Sequence, residues 1–163
     1  MIIKTMRWTV LSIFFLTGIE VNAQFSIDAQ LRNRFEVRDG YQQHAAKNVD
    51  PAAFMSQRTR VTFSYKTENF RIKFTPQDVR IWGDEANANF SGVNGDNASL
   101  DMFEGYAEMK FGEDNWLSIG RQTLIYDNEW LLSAANWNQN GNSFDAVVAK
   151  LKLFDFNFHI GSS

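Results

Sequence analysis

Seven stretches of this chain alternate polar and apolar residues with a period of two, and the gaps between them alternate short and long. In QLRNRFEVRD (residues 30–39), Arg32, Arg34, Glu36 and Arg38 share one parity. Leu31, Phe35 and Val37 share the other, with Asn33 the exception. That period means an extended strand with one wet face and one dry face. Alternation alone does not say what the dry face touches, because a soluble sandwich and a membrane barrel alternate alike.

The first strand is predicted over 25–38. The second, 57–66, sets Thr59, Val61, Phe63 and Tyr65 against Arg58, Arg60, Thr62, Ser64 and Lys66. The third begins with Phe70, Ile72 and Phe74 against Arg71, Lys73 and Thr75, and its apolar parity then moves to Val79 and Ile81. Proline donates nothing to a ladder and one extra residue reverses the faces, so a bulge is expected near Pro76-Gln77. The fourth, 101–111, sets Phe103, Gly105, Ala107, Met109 and Phe111 against Glu104, Tyr106, Glu108 and Lys110. The fifth covers 116–122, the sixth 143–153, with Lys150 and Lys152 on its polar parity, and the seventh starts at Phe154.

The connectors discriminate. Short links fall at 67–69, 112–114 and 153–155, long ones at 39–56, 82–100 and 123–142. An up-and-down meander puts every short link at one end and every long one at the other. Outer-membrane barrels are built that way, whereas long structureless loops are uncommon in compact soluble domains. The long loops GDEANANFSGVNGDNAS and AANWNQNGNS are rich in turn formers. Tyr65, Trp82, Trp116 and Tyr126 lie near strand ends, as interfacial aromatic girdles do, although ordinary core aromatics would look the same there.

The compartment agrees. Residues 1–23 carry Lys4 and Arg7, a short apolar run over 8–19 and the small-residue site Val21-Asn22-Ala23. This is a secretory signal peptide, expected to be cut after Ala23, and its apolar run is too short to span a bilayer as a helix. The barrel portion then covers 24–163. There is no cysteine, hence no disulfide framework. Removing Lys4, Arg7 and Glu20 from 16 basic and 19 acidic residues leaves 14 and 18, an acidic balance that argues against nucleic acid as a partner. The expected fold is all-β, an antiparallel up-and-down meander forming the N-terminal part of a large, porin-like barrel in a Gram-negative outer membrane. Seven strands are too few to close a porin-sized barrel, so a longer chain is expected.

With the apolar face on lipid, Arg32, Arg34, Arg38, Arg58, Arg60, Lys66, Arg71, Lys73, Lys150 and Lys152 point into the lumen. Rings of arginine and lysine select anions, and the guanidinium fork suits carboxylates. The competing reading is wall bracing, in which Asp28, Glu36, Glu104 and Glu108 pair with these cations.

GRQTLIYDNEWLLSAANWNQNGNSFDA (120–146) is the most specific stretch. With LRNRFEVRDGY (31–41), QRTRVTFSYKT (57–67) and QDVRIWGDE (77–85), it resembles the N-terminal part of the alginate-export family of outer-membrane barrels. The resemblance covers essentially all of 24–163. It implies a large monomeric barrel with an arginine-rich lumen that passes an anionic uronate polysaccharide. Carried over by position, Arg32, Arg34, Arg58, Arg60, Arg80 and Arg121 match the family's recurrent basic positions. Trp130 and Asn142 stand where that pattern leads to arginine.

Three functions follow as expectations: a channel for anionic saccharide or other anionic solutes, a general porin for neutral sugars and small solutes, or a surface-binding barrel working through its loops. Trp137, amid Asn136, Asn138, Gln139 and Asn140, is the loop binding candidate, and an inward-folded constriction is the rival role for the same residues. The partners are outer-membrane lipid, the polysaccharide or small solutes, and periplasmic export components. No enzyme is expected: His44 and His159 have no partner spacing, and no zinc set exists. Residues 94–97 (NGDN) lack the calcium-loop pattern. No cofactor or metal is called for.

Overall fold

The computed structural model describes residues 24–39, 50–83 and 99–163. The signal peptide with its cleavage site, His44 and the 94–97 turn lie outside the described residues. Seven strands follow in chain order: β1 (Gln24–Arg38), β2 (Ala52–Lys66), β3 (Phe70–Gly83), β4 (Ser99–Phe111), β5 (Asn115–Gln122), β6 (Phe144–Leu153) and β7 (Phe156–Ser162). They form one open antiparallel sheet in the order β1-β2-β3-β4-β5-β6-β7, each strand paired with its sequence neighbours. This is the expected up-and-down meander, with the turns at 67–69, 112–114 and 154–155 all at one end of the sheet. β2 starts at Ala52, five residues before the predicted start, and β7 starts at Phe156 because Phe154 turns with φ +56°.

The two faces differ in chemistry, and the difference is the reverse of a soluble protein's. Arg32 pairs with Arg58, and Arg60 with Gln77, so these side chains share one face. On it, Arg58 and Ser118 are wholly buried and Glu104 and Gln77 nearly so. Ile72, Phe74, Met109 and Ile119 stand on the other face, each more than 40% exposed. Buried polar and exposed large apolar side chains are the informative exceptions to normal burial. An apolar face this continuous is matched to hydrocarbon, and the polar face to a lumen. The outward face has the chemistry of a barrel's outer wall, and the alternation is that of a barrel rather than a sandwich.

The bulge lies where proline placed it, but on the neighbouring strand. Register shifts between Thr75 and Pro76, because Thr75 pairs with Glu104 and Pro76 with Met102, leaving Phe103 of β4 as the extra residue. β3 itself does not reverse: its pairing with β2 runs in one register from Phe63–Phe74 to Phe54–Gly83. Two expectations change. Phe103 joins Glu104 on the inner face, instead of facing lipid with Gly105. Val79 and Ile81 also face inward, where they pack with Ala52 and Phe54 as a small apolar cluster at the loop end of the wall.

Candidate functional site: the inner wall and its folded-in loop

The loop joining β5 to β6, residues 123–143, does not project away from the sheet. It crosses the inner face and lies on β1 and β2. Its tip is shaped by two backbone bonds, Asn138 N to Ala135 O (2.9 Å) and Asn142 N to Ala134 O (2.7 Å). Ala135 takes φ +43° and Gly141 φ +70° to make the reversal. Gly141 has no room for a side chain, since a Cβ there would sit 2.8 Å from Arg60 Nη2 and 2.9 Å from Phe103 Cε2. Upstream, Glu104 fixes the loop's first residue by accepting from Thr123 Oγ1 at 2.8 Å.

What seats the tip is a set of guanidiniums. Arg32 Nη2 donates to Asn138 O at 2.7 Å and to Gln139 Oε1 at 2.7 Å. Arg58 donates through Nη1 to Asn138 O at 3.1 Å and through Nη2 to Asn136 Oδ1 at 2.9 Å and Gln30 Oε1 at 2.7 Å. Arg60 donates to Gln77 Oε1 at 2.6 Å and Asn140 O at 3.0 Å, and its guanidinium carbon stands 3.3 Å from the centre of the Phe103 ring. Gln139 completes the seat by donating to Ser56 Oγ at 2.7 Å. A planar fork with five donors can serve several carbonyls at once, which lysine cannot. Among the described residues, Arg32, Arg58 and Arg60 form no ion pair with a carboxylate. Neutral oxygens orient all three, and Glu104, already paired with Lys73, adds a longer-range attraction to Arg60 alone.

The turn-end half of the wall is built differently. Lys73 Nζ meets Glu104 Oε2 at 2.6 Å. Glu108, almost buried, bridges Arg71 and Lys150, and Arg71 also stacks over Trp116, 3.7 Å from its ring centre. Lys152 reaches Asp114 at 3.0 Å. This half is the cross-braced wall of the rival reading. Replacing Glu108 with glutamine should leave two partly exposed cations without their shared anion. The full-length barrel should lose about 1–2 kcal/mol, the low side of a buried-pair deletion because both cations are partly solvated. Urea unfolding from vesicles measures it, and an unchanged midpoint would remove the bracing role.

Of the predicted lumen residues, Arg32, Arg34, Arg38, Arg58, Arg60, Lys66, Arg71, Lys73, Lys150 and Lys152 all stand on the inner parity. Arg34 and Arg38 share Glu36, each at 2.6 Å. Arg80 and Arg121 do not join them, which corrects their placement. Arg80 pairs in register with Gln57 on the outward face, where it forms an ion pair with Asp78. Arg121 pairs with Gly105 and Asp145, also outward, and meets Asp145 at 2.9 Å. The misplacement of Arg80 follows from the bulge, since no reversal occurs in β3. Two expected girdle aromatics are corrected as well. Trp116 faces inward under Arg71, and Tyr126 lies in the folded loop with its hydroxyl 2.9 Å from His159 Nδ1. Tyr65 and Trp82 stand on the outward face, near the turn end and the loop end respectively.

Gln30, Ser56, Gln77 and Phe103 support the site but carry no charge that would single them out in the sequence. Their signal is positional: each lies on the inner face close to an arginine of β2. Among the described residues no group of three or more potential metal ligands comes together.

A meander with an apolar outward face, charge buried on the inner face and a long loop folded across it defines one wall of a membrane β-barrel channel. The family model for alginate export matches residues 23–160. The chain therefore belongs to the alginate-export family, whose members are outer-membrane transport channels rather than enzymes. No curated protein and no solved structure matches the chain.

Proposed function

We propose that this export channel passes anionic saccharide, with Arg32, Arg58 and Arg60 as the selecting station where the folded loop narrows the path. The single observation that carries this is that, among the described residues, none of these three inward guanidiniums is in ion-pair contact with a carboxylate. A carboxylate passing about 8 Å from one of them gains roughly 2 kcal/mol at an effective dielectric of about 20, and a cation loses as much. Three such charges at one level favour a polyanion over a neutral chain and exclude cations. Outer-membrane lipid surrounds the barrel, and periplasmic export components deliver the chain to the turn end.

Planar-bilayer reversal potentials of the full-length protein test the proposal. Chloride should be preferred over potassium, and glutamine at Arg32, Arg34, Arg58 and Arg60 should lower that preference at least several-fold. Cation preference in the parent, or an unchanged ratio in the variant, rejects it. The paired turn-end network of Glu104 and Glu108 favours a second reading, a general path for neutral sugars and small solutes with the charges bracing the wall. Liposome swelling by uncharged sugars that polyuronate does not inhibit would support that one instead.

A further inference from the structure

We propose that Trp137 is an aromatic platform on which a pyranose ring of the passing saccharide stacks. The inference deepens the saccharide reading and rests on it, but not on the sign of the cargo's charge. Trp137 sits at the tip of the folded-in loop, and its backbone is fixed. Its carbonyl oxygen accepts from Arg34 Nη1 at 3.3 Å and Arg32 Nη2 at 3.4 Å. The Asn138–Ala135 bond closes the turn beneath it. The neighbouring Asn138 carbonyl is held by Arg32 and Arg58. Yet Trp137 is 78% exposed.

An indole kept wet on a rigid backbone retains apolar surface that burial would stabilise. Its ring face is also electron-rich and suited to the polarised C–H face of a pyranose. Arg32, Arg58 and Arg60 offer charge and N–H donors rather than an aromatic ring face, and the face of Arg60 is already taken by Phe103. Beside the platform, the side chain of Arg34 is 42% exposed and shares Glu36 with Arg38. It is placed to meet ring hydroxyls or a carboxylate at the stacked residue. Charge at the station and ring shape at the platform are then read separately.

The test uses full-length protein in planar bilayers, with current block by maltohexaose and by a uronate hexasaccharide as readouts. In W137A the half-blocking concentration of both should rise about fivefold or more, the equivalent of about 1 kcal/mol of stacking. W137F should restore most of the block. The chloride-to-potassium permeability ratio should stay at the parent value in both variants. The platform is overturned by unchanged block in W137A, by a parent channel that neither hexasaccharide blocks, or by a permeability ratio that shifts along with the block, which would mean the loop had left its seat. A cation-preferring parent whose block still depends on Trp137 would reject the anion station and leave the platform standing.

Discussion

Arginine placed at Phe63 or at Ala107 will lower the stability of the barrel by about 2–4 kcal/mol, the cost of a cation on the lipid face near the bilayer midplane. Arginine at Thr62 will cost no more than about 1 kcal/mol, the scale of one lost hydrogen bond. Phe63 lies outward between Ile27 and Phe74, its ring centre 6.3 Å from that of Phe74. Ala107 lies outward between Ile72 and Ile119. No carboxylate pairs in register with either, so a guanidinium there meets hydrocarbon. Thr62 is one residue from Phe63 but points inward, bonded to Thr75 Oγ1 at 3.1 Å and opposite Asp28. A guanidinium at that site gains water and a carboxylate neighbour. Urea unfolding of full-length protein from lipid vesicles reads the difference. Similar losses at neighbouring positions of opposite parity would mean that neither face touches lipid.

Gly120→Ala should cost about 3 kcal/mol or more, because two penalties coincide. Gly120 has φ +123°, a conformation that residues with a Cβ adopt only under strain. The space is also taken. A Cβ would sit 2.4 Å from Gly105 O and 2.9 Å from Tyr106 Cα, both backbone atoms of β4. Nothing at the end of a flexible side chain can move aside, so β4 and β5 must separate. Gly105→Ala is the control. Its φ is not positive, and the nearest atom to an added Cβ is Met102 Cγ at 3.3 Å, which can rotate away. The same unfolding experiment should show a loss for Gly105→Ala well below 1 kcal/mol. If Gly105→Ala proves the more damaging, close strand approach is not what position 120 demands.

The meander was legible because its signal is redundant. Every strand repeats the same period, and the connectors repeat the same ordering, so an error at one residue leaves the pattern standing. β1 and β2 showed their faces plainly, since Arg32, Arg34, Arg58 and Arg60 sit opposite Leu31, Phe35, Val61 and Phe63. β3 misled at its loop end. Val79 and Ile81 look like a return of the lipid face, but they form an apolar patch on the inner one with Ala52 and Phe54. Hydropathy does not say which side of a ribbon an apolar residue lines. Register does, and register at Thr75–Pro76 depends on which partner strand holds the extra residue. Arg121 was misplaced for a related reason. A match to the family's basic positions does not fix the side of the ribbon, and near a strand end a single aspartate, Asp145, accompanies Arg121 on the outer side.

The folded-in loop was only half legible. An inward constriction was one of two roles that its asparagines and Trp137 allowed. What decides between them is contact with Arg32, Arg58 and Arg60, more than 70 residues away in sequence. The acceptors are mostly main-chain carbonyls, and a carbonyl is present at every position whatever the side chain. Composition cannot mark it. The closest sequence hint was arithmetical: β1 and β2 hold more arginines than nearby carboxylates, so their donors needed other partners.

Because the loop is gripped largely by its peptide oxygens, its tip residues are released from the duty of holding it. Trp137 and Asn138 offer those oxygens whichever side chains they bear. Substitutions there can therefore retune what the pore prefers while the anchorage persists. Drift among relatives should concentrate at those two side chains and spare Asn136, Gln139 and Gly141, whose own atoms or lack of them make the fit. One scaffold could in this way be adapted from cargo to cargo without rebuilding its wall.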